Sequence, residues 1–299
     1  MRVLMTLLVR DEADVVAATV EHHLAAGVDF IVATDNGSRD GTVEILESYQ
    51  AAGVLELHHE PSQDYEQGRW VTRMARRAAH LGADWVINAD ADEFFWPAGE
   101  TTPGRDALPA AFAAAGPAGL VRSRRDNLVP DPAVDPTAAW VDRLVIRDTA
   151  SLSARGTRIG PKVCHRADPD VDVAQGNHTA TGPLIGAESP LTPLEILHVP
   201  DRGYEHYARK IANGGSAYAA NTRLGADVGW HWREDYERLL DGELAAVYAA
   251  RERDGAAVAE GLAAGVLFRD TRLADRLADL VPTAVDPAAL KAVLTARPS

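Results

Sequence analysis

The chain contains a single cysteine, Cys164, so it can form no internal disulfide and no cysteine-based zinc site. Cys164 itself reads as a small buried apolar residue. Basic residues are scarce relative to acids: 30 against 44 in 299 residues, a formal charge of −14. Phosphate backbones and anionic lipid surfaces are held by clustered Lys and Arg, so no nucleic-acid partner and no electrostatic membrane anchor are expected. Long apolar runs are missing too. A membrane span needs about 20 apolar residues, and the most apolar run, residues 107–121, is broken by Pro109, Gly116 and Pro117. No integral membrane contact is therefore expected. A secretory leader is not visible either, because the apolar start runs directly into Arg10-Asp11-Glu12 without a small-residue cleavage site. The expected setting is cytoplasmic and reducing.

What is present is the composition of a folded globular chain, 46% hydrophobic and 25% charged. Residues 2–9, 30–34, 54–59 and 85–88 read as strands, the first apolar at nearly every position, as in strands covered on both faces. Helices are expected between them over residues 13–26, 42–52 and 66–81, each closed by glycine, with Asp11 as N-cap of the first. This alternation predicts βαβ units and a mostly parallel sheet with helices on both faces. Ligands of such sheets bind beyond the carboxyl ends of the strands. Further along, residues 106–115 read as a short helix and 119–125 as a strand. Residues 140–147 and 194–199 read as short strands, and 204–220 as a helix. From residue 233 onward the Ala, Leu, Glu and Arg content predicts a helical tail with breaks at Asp254-Gly255 and Pro282.

Acidic clusters follow three of the first four strands. Asp90-Ala91-Asp92-Glu93-Phe94 places carboxylates two residues apart directly after a buried strand. Like charges partly withdrawn from water are costly, and a divalent cation relieves that cost. Asp90 and Asp92 would point the same way and share one site for Mn2+ or Mg2+, suited to a nucleotide diphosphate. In the segment from Asp35 to Thr42, Asn36-Gly37 makes a turn and Asp40 caps the next helix. Asp35 is not required by that turn and is free to accept hydrogen bonds from a base or ribose. Arg10-Asp11-Glu12 reads equally as helix capping or as part of the site.

In their order and spacing, these segments resemble the family 2 glycosyltransferases with a GT-A fold, a Rossmann-like nucleotide-diphospho-sugar architecture. The likeness is firm over residues 1–97. It implies that Glu12 and Asp35 lie at the nucleotide base, Asp90 near the ribose and Asp92 on the metal. Many inverting members carry a Glu-Asp pair, with the catalytic base, at the start of a helix after the acceptor strand; no such pair stands in that context here. Instead, Ile196-Leu197-His198-Val199-Pro200-Asp201-Arg202, followed by Lys210, resembles a subgroup of the family.

His198 ends a short strand, a suitable place for a metal ligand, with His178 as a rival; Arg202 and Lys210 would face the diphosphate, and Arg69 could also reach the donor. Asp126, Glu93 and Glu188 are the candidate bases. Trp140, Trp230, Trp232 and Tyr236 would line an acceptor groove or pack in the core. The expected organisation is one GT-A domain over residues 1–225, divided into a nucleotide-binding half (1–97) and an acceptor and metal-completing half (98–225), with a helical extension over 226–299. The expected activity is metal-dependent, inverting transfer from a nucleotide sugar, with UDP as nucleotide, to an unidentified acceptor. A sugar-1-phosphate nucleotidyltransferase would need a glycine-rich loop after the first strand, where Arg10-Asp11-Glu12-Ala13-Asp14 stands instead. A non-catalytic nucleotide- or sugar-binding module is the third reading.

Overall fold

The computed structural model describes residues 1–62, 66–153, 155–220, 229–282 and 286–294. Strands β1 (Val3–Val9), β2 (Phe30–Asp35), β3 (Leu55–His59) and β4 (Trp85–Asp90) alternate with helices α1 (Val16–Ala26), α2 (Thr42–Ala51) and α3 (Gln67–His80). They form a parallel block in the order β3-β2-β1-β4. Alternation along β1 divides its side chains: Val3, Met5, Leu7 and Val9 join the core beneath α1 and α2, while Leu4 packs with Val71, Met74 and Ala78 of α3. Both faces are covered, which is why β1 is apolar throughout.

The chain then adds β5 (Glu93–Pro97), α4 (Ala107–Ala114), β6 (Leu120–Val129), α5 (Trp140–Arg143), β7 (Ile146–Asp148) and β8 (Lys162–Arg166). A small hairpin of β9 (Asp172–Val173) and β10 (Ala180–Thr181) leads to β11 (Leu194–His198). The main sheet runs β12-β7-β6-β8-β4-β1-β2-β3, and β11 ties β5 to β6 beside this path. β8 is antiparallel to both β4 and β6, so β6 runs in the same direction as β4. The sheet is therefore mixed. The expected parallel pattern holds for the first four strands and gives way to antiparallel pairing along the main path beyond β4, while β11 pairs in parallel with β6.

β5 is held on two sides. Its Phe95 registers with Ile196 of β11, while α1 supplies two histidines to the same backbone unit. His22 Nε2–H donates to the Phe95 carbonyl at 3.0 Å, and His23 Nε2 accepts from the Phe95 amide at 3.1 Å.

The C-terminal part comprises α6 (Tyr204–Ala220), α7 (Trp230–Leu240), α8 (Leu244–Arg251), α9 (Gly255–Ala263), β12 (Leu267–Arg269), α10 (Arg272–Asp279) and α11 (Pro287–Leu294). The tail is not wholly helical, since β12 extends the main sheet by pairing with β7. The expected boundary at 225/226 lies outside the described residues. Residues 140–147, expected as one strand, split into the turn of α5 and the strand β7, and Trp140 is buried against Phe94 rather than lining a groove. Among the described residues, no helix is long and apolar enough to cross a membrane.

Candidate active site

The carboxyl ends of β1, β2 and β4 lie side by side: Val9 registers with Asp35, and Leu8 with Asp90. The loops leaving β1 and β2 are stitched together. Glu12 N–H donates to Thr42 Oγ1 at 2.9 Å and Ala13 N–H to Asp40 Oδ2 at 3.1 Å. Asp11 is not the N-cap of α1, which starts at Val16; its backbone is left-handed, with φ 54°. The Asp11 carboxylate accepts from the Arg39 amide at 2.7 Å and from Asn213 Nδ2 at 2.5 Å, so it clamps three segments together.

Asp35 does serve the turn, contrary to the expectation from sequence. Its carboxylate accepts from the Gly37 amide at 2.9 Å and from the Ser38 amide at 3.2 Å. This is an Asx turn closed on itself. Asp35 is buried beside the same edge, so it shapes the rim of the site through the backbone.

Asp90 and Asp92 are handed to different cations. Lys162 Nζ, from the antiparallel strand β8, lies 2.5 Å from Asp90 Oδ2 and 3.2 Å from Glu93 Oε1. Asp90 Oδ1 accepts from Gln67 Nε2 and Asn177 Nδ2, each at 3.3 Å. Asp92 instead faces α6: Lys210 Nζ donates to Asp92 Oδ2 at 2.6 Å. His198 Nε2 lies 3.6 Å from Asp92 Oδ1. The other ring nitrogen of His198, Nδ1, is 2.7 Å from Asn127 Oδ1 and donates to it, which leaves Nε2 as a lone pair directed at Asp92. Burial raises the Asp92 carboxyl, but chiefly the Lys210 ammonium outweighs it and holds the group well below the ordinary carboxylate range. Burial lowers the His198 imidazole despite Asp92, so the ring is neutral near pH 7.

Arg202 is almost wholly buried and binds acids rather than facing an open diphosphate site. Its guanidinium contacts Glu12, donates to Asp14 at 2.7 Å and reaches His206 Nε2 at 2.6 Å. Glu12, Asp14 and His206 have ligand atoms close enough for a cation, but the permanent charge of Arg202 already fills that position. Burial raises Glu12, and Arg202 and Lys210 bring it below its usual value. Glu12 is thus an internal counter-ion rather than an open contact for a base.

The remaining candidates are not gathered at Asp92. His178 Nδ1 is bound to the Pro161 carbonyl at 2.6 Å, away from the pairing of Asp92 with His198. Asp126 lies within β6, fully buried, its oxygens taken by Arg124, Arg147 and Arg158. Strand alternation sets it on the face opposite Asn127, so it cannot serve as the base at this edge. Glu93 is buried behind Arg125 at 2.9 Å and Lys162. Glu188 forms a surface pair with Arg122, beside the start of β6. Arg69 is 80% exposed on the outer side of α3, paired with Glu66. Trp232 stacks on Tyr218, and Trp230 lies beneath the Arg155 guanidinium at 3.6 Å.

Sequence reasoning missed Lys162, Asn127, Asn177 and Gln67. Lys162 opens a strand about 70 residues after Asp90, in a region without clear periodicity. Asn127 was inside a strand that sequence ended at residue 125.

Residues 5–108 match the model of glycosyltransferase family 92, about a third of the chain. The sequence resemblance had pointed to family 2. The match spans β1 to β5 with Asp35, Asp90 and Asp92, and stops before Lys162, His198 and Lys210. No curated protein shows significant sequence similarity to the chain. Among solved structures, S. aureus TarS 1-349 in complex with UDP is similar at 15% identity, TM-score 0.41, over 82% of this chain and 71% of that one. The same protein in complex with UDP-GlcNAc gives 15% identity and a TM-score of 0.42, over 82% and 72%. Glucosyl-3-phosphoglycerate synthase from Mycobacterium tuberculosis, in complex with phosphoglyceric acid, gives 17% identity and a TM-score of 0.28, over 42% and 44%.

Proposed function

We propose that this protein is a glycosyltransferase that takes a sugar from a nucleotide-sugar donor bound at the carboxyl edge of β1, β2 and β4. The observation that carries the reading is the buried Asp92 with His198 Nε2 3.6 Å from its carboxylate, in a chain whose residues 5–108 match the model of a glycosyltransferase family. Asp92 and His198 fit a divalent cation. One offers an oxygen and the other a neutral, oriented imidazole, a donor pair that suits Mn2+ and, less well, Mg2+. When bound, such an ion offsets the charge of a diphosphate.

The chain's own groups do the rest. Gln67, Asn177 and Lys162 fix the Asp90 carboxylate. Lys210, on the flank of Asp92, carries an ammonium that can turn from the carboxylate to a diphosphate oxygen, where leaving-group charge develops. Arg202 locks the start of α6 against the β1 loop, which keeps Lys210 in reach. UDP as nucleotide and inversion at the transferred carbon are the readings that the sequence resemblance supports.

The test is donor turnover by Asp92→Asn against the parent, with UDP-sugars first and with Mn2+ or Mg2+ present. A loss of at least about 100-fold is expected, the scale of removing one preorganised electrostatic group. Equal turnover by variant and parent, or no turnover of any nucleotide sugar by the parent, would refute the proposal.

A further inference from the structure

None of the three acids expected as base stands open, since Asp126, Glu93 and Glu188 are each held by arginine. A histidine at the same edge is differently placed. His178 follows the turn Gln175–Asn177, which is tied into the donor edge from three elements. The Gln175 carboxamide accepts from the Gly68 amide of α3 at 3.0 Å and donates to the Tyr218 hydroxyl of α6 at 3.4 Å. The Gly176 amide donates to Gln67 Oε1 at 3.1 Å, and Asn177 donates to Asp90 at 3.3 Å. Because β8 runs antiparallel to β4, Pro161, one residue before β8, lies at the carboxyl end of β4 beside Asp90.

We propose, on the donor-edge reading above, that His178 is the catalytic base and that its Nε2 takes the proton of the acceptor hydroxyl. The hydroxyl oxygen bonds to the anomeric carbon as its proton passes to Nε2. The bond from that carbon to the diphosphate oxygen breaks, and its electron pair leaves on the diphosphate. The ring is set up for this role. Nδ1–H donates to the Pro161 carbonyl at 2.6 Å, so Nε2 carries the lone pair. Nε2 has no hydrogen-bond partner among the described residues and keeps access to solvent.

Two glycines give the ring its place. A Cβ at Gly160 would lie 2.8 Å from His178 Cε1, and one at Gly176 would lie 2.6 Å from Nε2, over the lone pair itself. Burial lowers the imidazole below its ordinary value, and Lys162 and Arg125 add to this against the Pro161 carbonyl and Glu93. The ring is therefore neutral near pH 7 and able to accept a proton. β8 and β1 flank β4 on opposite sides. His178 thus stands on the side of Asp90 away from the β1 and β2 loops, where an acceptor can approach a sugar whose nucleotide lies over those strands.

The experiment measures UDP release from UDP-sugars by the full chain with water as acceptor, alongside calorimetric binding of UDP. His178→Asn keeps a donor for the Pro161 carbonyl and removes Nε2. It should lower kcat by about 100-fold or more and leave UDP affinity unchanged. In His178→Ala, free imidazole should restore part of the lost rate. A loss that imidazole does not restore, or one matched by a loss of UDP binding, marks a structural role and overturns the proposal. A parent that releases UDP from no UDP-sugar overturns the donor-edge reading and this one with it. A parent that does, with His178→Asn equally fast, overturns this one alone. A readout on the parent guards against variants that fail to fold. Diethyl pyrocarbonate should acylate His178 well before the fully buried His22, His23 and His165. Protection of His178 as complete as theirs would also overturn it.

Discussion

Two side chains decide whether the donor edge is a working site, and each acts by a separable mechanism. Arg202 is a buried cation serving Glu12 and Asp14. Arg202→Met removes that charge and leaves the buried Glu12 and the half-buried Asp14 without their main cation. A loss of roughly 3–5 kcal/mol in urea unfolding is expected, the scale of breaking a buried ion pair from one side. A variant as stable as the parent would show that water or Lys210 takes over. Asn127 acts on the ligand chemistry instead. Its Oδ1 fixes His198 with the proton on Nδ1. Asn127→Leu frees the ring to take the other tautomer, so Mn2+ affinity should fall about 10- to 100-fold. Titration of Mn2+ followed by its own resonance signal reads this without any turnover. Unchanged affinity would mean that His198 does not reach the ion. Both roles depend on residues far apart in sequence, so neither could be read from a motif.

At the scale of elements, backbone contacts between loops position the edge strands. Gly119, just before β6, is the tightest case. A Cβ there would lie 1.4 Å from the Ile185 carbonyl oxygen, and the Gly119 amide donates to the Ala187 carbonyl at 3.0 Å. Gly119→Ala must push the 185–188 segment off the sheet. The expected cost is roughly 3 kcal/mol, at the upper end for overpacking, seen as a lower urea midpoint at unchanged slope. What the sequence revealed follows the same physics. β1 to β4 were legible because strands covered on both faces must be apolar throughout, and helix α6 because its period is unbroken from Tyr204 to Ala220. β12 was hidden, since Leu267-Phe268-Arg269 is three residues long and becomes a strand only by pairing with β7. Residues 140–147 misled because Val141, Val145 and Ile146 suit a strand, while the buried Trp140 instead caps the core beside Asp14. Asp90, Asp92 and His198 stood out as polar groups ending apolar strands. Lys162 did not, because a lysine at the start of an antiparallel strand looks like a solvated end until β8 lies against β4.

For the whole molecule, the buried histidines make stability depend on pH before any carboxylate titrates. His22, His23 and His165 are fully buried and neutral, each ring bound to backbone. Burial lowers all three; His23 and His165 are pushed down to about 4 from 6.5, and His22 falls well below its usual value. The unfolded chain takes up these protons near pH 6.5 and the folded chain does not, so the unfolded state binds more protons from about pH 7 down to about pH 4. Stability must therefore fall as pH is lowered through that window. Between pH 7.5 and pH 5 each histidine contributes a loss of roughly 2 kcal/mol. Glu12, Asp14 and Asp92, held below their usual values by Arg202 and Lys210 against burial, add a second loss only below about pH 4. Urea unfolding at several pH values separates the two limbs. His165→Asn keeps a side-chain donor for the Arg166 carbonyl, so it should flatten the upper limb by about one proton's worth of slope and leave the lower limb unchanged. A parent equally stable at pH 5 and pH 7.5 would mean that the histidines which tie α1 to β5 accept protons without loosening the strand that follows Asp92.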